Sequence, residues 1–127
     1  MDNAALAEAL FAALAANDVP AVQSLCSPAF SLRQNRGPAI GLNGLIKFNA
    51  IVHRIAADFG YSDAVRSATS DGFVEEHLVS GMLADGTRFA FPVCVVADVN
   101  DGLVSNVREY VDTAAAAPLL AALSRAR

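Results

Sequence analysis

The chain has 127 residues, of which 54% are hydrophobic, and carries a formal charge of −4; this size and apolar content fit a single domain, residues 1–127, around one core. One lysine, Lys47, and scattered arginines form no basic stripe, which argues against nucleic acid as a partner. No apolar run reaches the length of a membrane span, and the Ala-rich start carries Asp2 and Glu8 where a secretory signal needs a basic n-region, so the expectation is a cytoplasmic protein without a membrane partner.

Leu6, Leu10 and Leu14, with Ala7 and Phe11, recur at helical spacing from about Asn3 to Ala16, and Asp2 or Asn3 can cap that helix. Asp18 can cap a short second helix with Pro20 early in it and Val19, Val22, Leu25 and Cys26 on its buried face; Ser27-Pro28 ends it. A short strand over Phe30 to Gln34 then runs into Asn35-Arg36-Gly37-Pro38, a loop by its Gly and Pro. From about Leu42 to Phe59 the set Leu45, Phe48, Val52, Ile55 and Phe59 keeps one helical stripe, which Gly60 should stop.

After Gly60 the period changes from helical to alternating. Asp71-Gly72, Asp85-Gly86 and Asp101-Gly102 are hairpin signals, and they divide the rest into four strands: Ser62–Thr69, Phe73–Leu83, Thr87–Asp98 and Leu103–Thr113. The tail from Ala114 to Arg127 reads as a short helix or a frayed segment. Three helices followed by a long-stranded meander predict an α+β domain, with three N-terminal helices on the concave face of a curved antiparallel sheet. The strand from Phe89 to Ala97 is apolar on both faces, so a second subunit covering the outer face, a homodimer through the sheet, is expected; Pro92 within it predicts a bulge or an edge-like irregularity. Cys26 and Cys94, far apart among apolar neighbours and without metal-ligand spacing, read as reduced core thiols.

Glu109 is the anomaly of the last strand. Leu103, Ser105, Val107, Glu109 and Val111 share one face, and a carboxylate in such a row is either a satisfied structural group, paired with Arg66 or Arg88, or a working acid or base. Arg108, Tyr110 and Asp112 on the other face read as a cross-strand polar set. In Phe73 to Ser80, either the row with Glu75, His77 and Val79 or the row with Val74, Glu76 and Leu78 can face inward, and His77 is then a proton-donating group or a partner of Glu75. His53, off the main stripe, reads as a helix-flank residue, while Phe11, Phe30, Phe48, Phe59 and Phe91 are available to line an apolar interior.

The closing segment, Asp101-Gly102-Leu103 followed by Val107-Arg108-Glu109-Tyr110-Val111-Asp112, resembles the terminal signature of the nuclear transport factor 2-like superfamily. That cone-shaped, cystatin-like α+β fold is shared by SnoaL-like polyketide cyclases, ketosteroid isomerases and limonene-epoxide hydrolases. The resemblance implies an apolar small-molecule ligand in the cone and no metal or organic cofactor. It places Glu109 at the pocket carboxylate, His77 where epoxide hydrolases hold an Arg, Val79 where they hold a second Asp, and Asn35 at the position of an Asn that orients the reacting water, with Arg33 replacing the accompanying Tyr. The catalytic set expected on this basis is Glu109, His77 and Asn35, acting as an isomerase, cyclase or hydratase/hydrolase on a carbonyl- or epoxide-bearing substrate. A non-catalytic binding or dimerisation module of the same fold is the alternative.

Overall fold

The structure is a computed structural model that describes residues 1–126; Arg127, the end of the expected tail, lies outside the described residues. Helix α1 spans Asn3–Ala15 and α2 spans Val19–Leu25, capped by Asp2 and Asp18, whose carboxylates accept from the backbone N–H of Ala5 and Ala21. Strand β1 (Cys26–Gln34) and the two-residue β2 (Ile40–Gly41) lead into α3 (Leu42–Ile55). Then come β3 (Ala56–Ala68), β4 (Gly72–Leu83), β5 (Arg88–Asn100), β6 (Leu103–Val111) and a terminal helix α4 (Ala117–Ala126).

The six strands form one curved sheet in the order β2-β1-β6-β5-β4-β3, antiparallel throughout except for β1 beside β6, which is parallel. The expected antiparallel sheet is therefore mixed, because the chain leaves β1 through α3 and the hairpins before returning beside it in the same direction. The expected three helices are also one short. Pro118 sits in the first turn of α4, where it costs no hydrogen bond, and Leu119 and Leu123 anchor that helix in the core.

The long helix stops at Ile55 rather than Phe59. Ala56 and Ala57 already pair with Leu83 and Met82, and Phe59 fell on the helical stripe only by coincidence of spacing. Strand β3 carries two bulges, between Ala57 and Gly60 and between Ser62 and Val65, each with an aspartate in the left-handed region, Asp58 at φ 56° and Asp63 at φ 55°. The bulges reset the alternation, so that Phe59, Tyr61 and Arg66 all reach the inner face. Pro92 lies opposite Leu78 and beyond Val111, the last residue of β6, so this part of β5 has no β6 neighbour and behaves as an edge.

Helices and the inner sheet face enclose a core built on Leu6, Leu10, Leu14, Val52, Phe73, Val95 and Val104. Cys26 belongs to it, and burial pushes its thiol up to about 11, so it stays protonated and unreactive. Cys94 is only half-buried, on the outer face, not in the core as expected. No helix among the described residues is long and apolar enough to cross a membrane.

Candidate active site

Helices α1, α3 and α4 do not close fully on the sheet and leave a cavity of about 280 Å³. Leu10 and Phe11 of α1, Leu45, Phe48 and Asn49 of α3, and Leu120 and Leu123 of α4 form one wall, and Phe30, Leu32, Phe59, Tyr61, Val95 and Val107 of the sheet form the other. Four of the five phenylalanines expected to line an apolar interior do so; Phe91 is plain core.

One carboxylate enters this lining, that of Glu109. Strand pairing puts Gln34, Glu109, Val95, Glu75 and Arg66 in a single row across five strands. The Gln34 side-chain amide donates to Glu109 Oε1 at 2.9 Å, and Oε2 has no partner among the described residues. Desolvation raises the Glu109 pKa above its ordinary 4.5, opposed by the Gln34 hydrogen bond and by the charge of His77. Neither arginine that would have made Glu109 a merely satisfied group reaches it: Arg66 Nε donates to Glu75 Oε1 at 2.7 Å, and Arg88 is exposed at the start of β5, opposite Met82.

His77 is brought to the inner face, resolving which row of β4 points inward, but it does not line the cavity. Its Nδ1 lies 2.6 Å from Glu75 Oε2, which can only accept, so Nδ1 carries a proton and donates. Phe11 and Tyr61 cover the ring, each with its centroid 4.7 Å away. His77 thus stands one layer behind the wall and does not line the cavity. Glu75, with no exposure at all, is neutralised by Arg66 on one oxygen and bonded by His77 on the other.

Asn35 is a structural residue. In the left-handed region at φ 50°, it donates through Nδ2 to the Val111 carbonyl at 2.9 Å and accepts the Val111 N–H on Oδ1 at 3.0 Å. Both ends of its amide are used in tying β1 to β6, which leaves none for the expected reacting oxygen. Arg108 pairs with Asp98 on the outer face, as the alternation required. His53 Nε2 is 2.8 Å from the Leu14 carbonyl, a helix-flank contact.

Tyr61 is the residue the sequence reading passed over. Placing Gly60 as a helix stop and Ser62 as a strand start left it in a connection, whereas the two bulged aspartates turn it into the cavity. Burial first, then the charges of Glu109 and Glu75, raise its pKa, so the phenol remains a protonated donor; among the described residues it has no hydrogen-bond partner. No group of three or more His, Cys, Asp or Glu among the described residues is placed to hold a metal ion.

A curved mixed sheet closed by helices over an apolar pocket places the chain in the nuclear transport factor 2-like fold class. It is similar to a nuclear transport factor 2-like protein from Burkholderia thailandensis (TM-score 0.80, 15% identity, 94% of this chain and 98% of that one). Within that class it belongs to the SnoaL-like domain family, whose sequence profile matches residues 7–107. Similar structures include a candidate polyketide cyclase from Pseudomonas putida (TM-score 0.77, 23% identity, 88% of this chain and 92% of that one). Another is an LEH-like epoxide hydrolase from Mycobacterium tuberculosis (TM-score 0.75, 20% identity, 96% of this chain and 89% of that one). No curated protein matches the chain by sequence.

Proposed function

We propose that the protein is a cofactor-independent acid/base enzyme, an isomerase or cyclase, acting on a small apolar carbonyl compound held in the cavity. The observation that carries this reading is Glu109: a single carboxylate in an apolar wall, one oxygen oriented by Gln34, the other without a partner among the described residues, with its pKa raised by burial. A base poised nearer neutrality abstracts a carbon-bound proton more effectively than an ordinary exposed carboxylate at the same pH. Ionised Glu109 takes the proton α to the carbonyl, and the C–H electron pair moves onto the carbonyl oxygen as an enolate, which the Tyr61 hydroxyl stabilises by donating a hydrogen bond. Where a β,γ double bond extends the enolate, Glu109 returning the proton at the γ carbon gives isomerisation; where the enolate carbon attacks a second carbonyl of the same molecule, the C–C bond closes the ring and the new alkoxide takes the proton back from Glu109. His77, held by Glu75 behind Phe11 and Tyr61, takes no part in the proton transfer.

The test is a metabolite panel screened by thermal shift, followed by NMR of α-proton exchange in deuterated water. Glu109→Gln should bind the same ligands while losing exchange or turnover by about 100-fold or more, the usual worth of a positioned base. Full turnover in that variant would exclude the assigned role. The enclosure of His77 and the presence of Val79 where a second acid is expected favour one other reading, a binding module of the same fold. Ligands that stabilise wild type and variant alike without any turnover would establish it.

The outer face supports a homodimer. Ala90 and Pro92 are exposed and Val74, Leu78, Cys94 and Val96 half-buried on that face, with Val65 66% and Tyr110 41% exposed beside them, a mostly apolar surface interrupted by Glu76 on the side away from the helices.

A further inference from the structure

Asn49 is the polar side chain of the cavity wall that the proposed acid/base step leaves unused. It lies on α3, is 5% exposed, and its amide orientation is fixed by chemistry. The Leu14 carbonyl can only accept, so the branch 3.0 Å from it is Nδ2, which also reaches Asn17 Oδ1 at 3.3 Å. That leaves Oδ1. Among the described residues nothing donates to it, yet it is not sealed into the core as the Ser27 hydroxyl is. A buried acceptor without a partner is costly; Asn49 borders both the cavity and a crevice of Leu14, Asn17, Val19, Val22 and Ile46 that has no room for a water, so the space that can hold a partner for it is the cavity.

We propose that Asn49 Oδ1 is a specificity contact: it accepts a hydrogen bond from a hydroxyl or N–H of the substrate, at the end opposite the carbonyl that meets Glu109 and Tyr61. This rests on the cavity being the substrate site. Asn49 belongs to the helical wall and Glu109 and Tyr61 to the sheet wall, so one ligand spans both. Apart from Asn49, Tyr61, Glu109 and the Gln34 bonded to it, the lining side chains are apolar and offer a donor nothing, so a hydroxyl set against them would be buried unbonded. A cavity of about 280 Å³ is at the small end of ligand sites, which points to a single-ring compound. The substrate class is a small hydroxylated (or amino-bearing) apolar ketone rather than a plain hydrocarbon ketone.

The test compares 4-hydroxyacetophenone with 4-methylacetophenone, nearly equal in shape, by NMR titration. Without an acceptor the hydroxyl loses hydration for nothing and the methyl compound binds better. With Asn49 in place the hydroxyl compound should win by about 10-fold in Kd, and the order should reverse in Asn49→Ala. Equal binding, a methyl preference in wild type, no binding of the hydroxyl compound at millimolar concentration, or a hydroxyl preference that survives in folded Asn49→Ala would each overturn the proposal. Should Asn49→Ala fail to fold for want of its bond to Leu14, the wild-type Asn49 side-chain amide resonances decide: they should shift with the hydroxyl compound and not with the methyl one, and the converse overturns the proposal. Exchange of the probe's methyl-ketone protons in wild type against Glu109→Gln reads the acid/base step separately. Preference without exchange removes the Glu109 role and keeps Asn49, while exchange without preference does the opposite.

Discussion

Glu109 stabilises or destabilises the fold according to its charge, and the direction follows from its raised pKa. The folded state holds the Glu109 proton more tightly than the unfolded chain does, so between the ordinary value of 4.5 and the raised folded value the native state binds more protons. Stability therefore falls as pH rises through that window and stays lower above it. Glu109→Gln keeps an acceptor for Gln34 and has no charge to bury. Its Tm should match wild type near pH 4 and exceed it at pH 8 by roughly 4 °C, the scale of a 1 kcal/mol change in a domain of this length; equal Tm values across the range would mean that the carboxylate is solvated and not poised. Period-two alternation was enough to single out this carboxylate, because an acid in an apolar row is visible in the letters. His77 was legible as an inward residue only as one of two rows, and its enclosure was not legible, since it depends on Phe11 from another element and on Tyr61 from a strand whose phase is set by bulges. Asn35 matched a motif by identity, but its amide is used up by Val111, seventy-six residues away in sequence.

Elements with strong local chemistry were legible from the sequence. The Asp caps, the amphipathic stripe of α3 and the three Asp-Gly hairpins are short-range signals, and Asp101 and Gly102, at φ 52° and 75°, adopt the doubly left-handed turn that this dipeptide favours. Strand β3 was not, because a bulge changes the phase of the alternation by one residue and an isolated aspartate does not announce it. The parallel neighbour of β6 was also out of reach, since pairing between β1 and β6 spans most of the chain. Gly72 shows how one signal can hide a second cause. It was read as a turn glycine, yet its φ is not in the left-handed region; instead, an added Cβ would lie 1.8 Å from the Ala97 carbonyl oxygen and 3.0 Å from Asp98 Cα. Those atoms belong to the β5 backbone and cannot rotate away. Gly72→Ala should therefore cost about 2–3 kcal/mol, the upper part of the overpacking range, seen as a lower midpoint in urea unfolding. Gly60→Ala, where nothing lies within 4 Å of the added atom, should stay within about 0.5 kcal/mol of wild type and serves as the control.

At the scale of the whole molecule the sheet has two unlike faces. The inner one is filled by α1, α3 and α4, and among the described residues no helix covers the outer one although its central strands are mostly apolar there. Strand register gives the outer rows directly: Ser67, Val74, Val96 and Arg108 in one, and Val65, Glu76, Cys94 and Tyr110 in the next. The first row is apolar in the middle and polar at its ends, the layout of an interface core with a rim, while the second carries the exposed Glu76 between Val65 and Cys94. A face-to-face two-fold dimer would bury the apolar first row and bring the Glu76 and Arg108 side chains of the two outer faces into one interface, where opposite charges can pair. Val96 sits at the centre of this surface beside Arg108, so Val96→Glu adds a charge that the isolated subunit can accommodate and that a sheet-to-sheet interface cannot. Light scattering on a sizing column should give wild type the mass of a dimer and Val96→Glu that of a monomer, with the same affinity for cavity ligands in both. A monomeric wild type, or a variant that remains dimeric, would place the interface elsewhere or remove it, and the apolar outer rows would then need another cover.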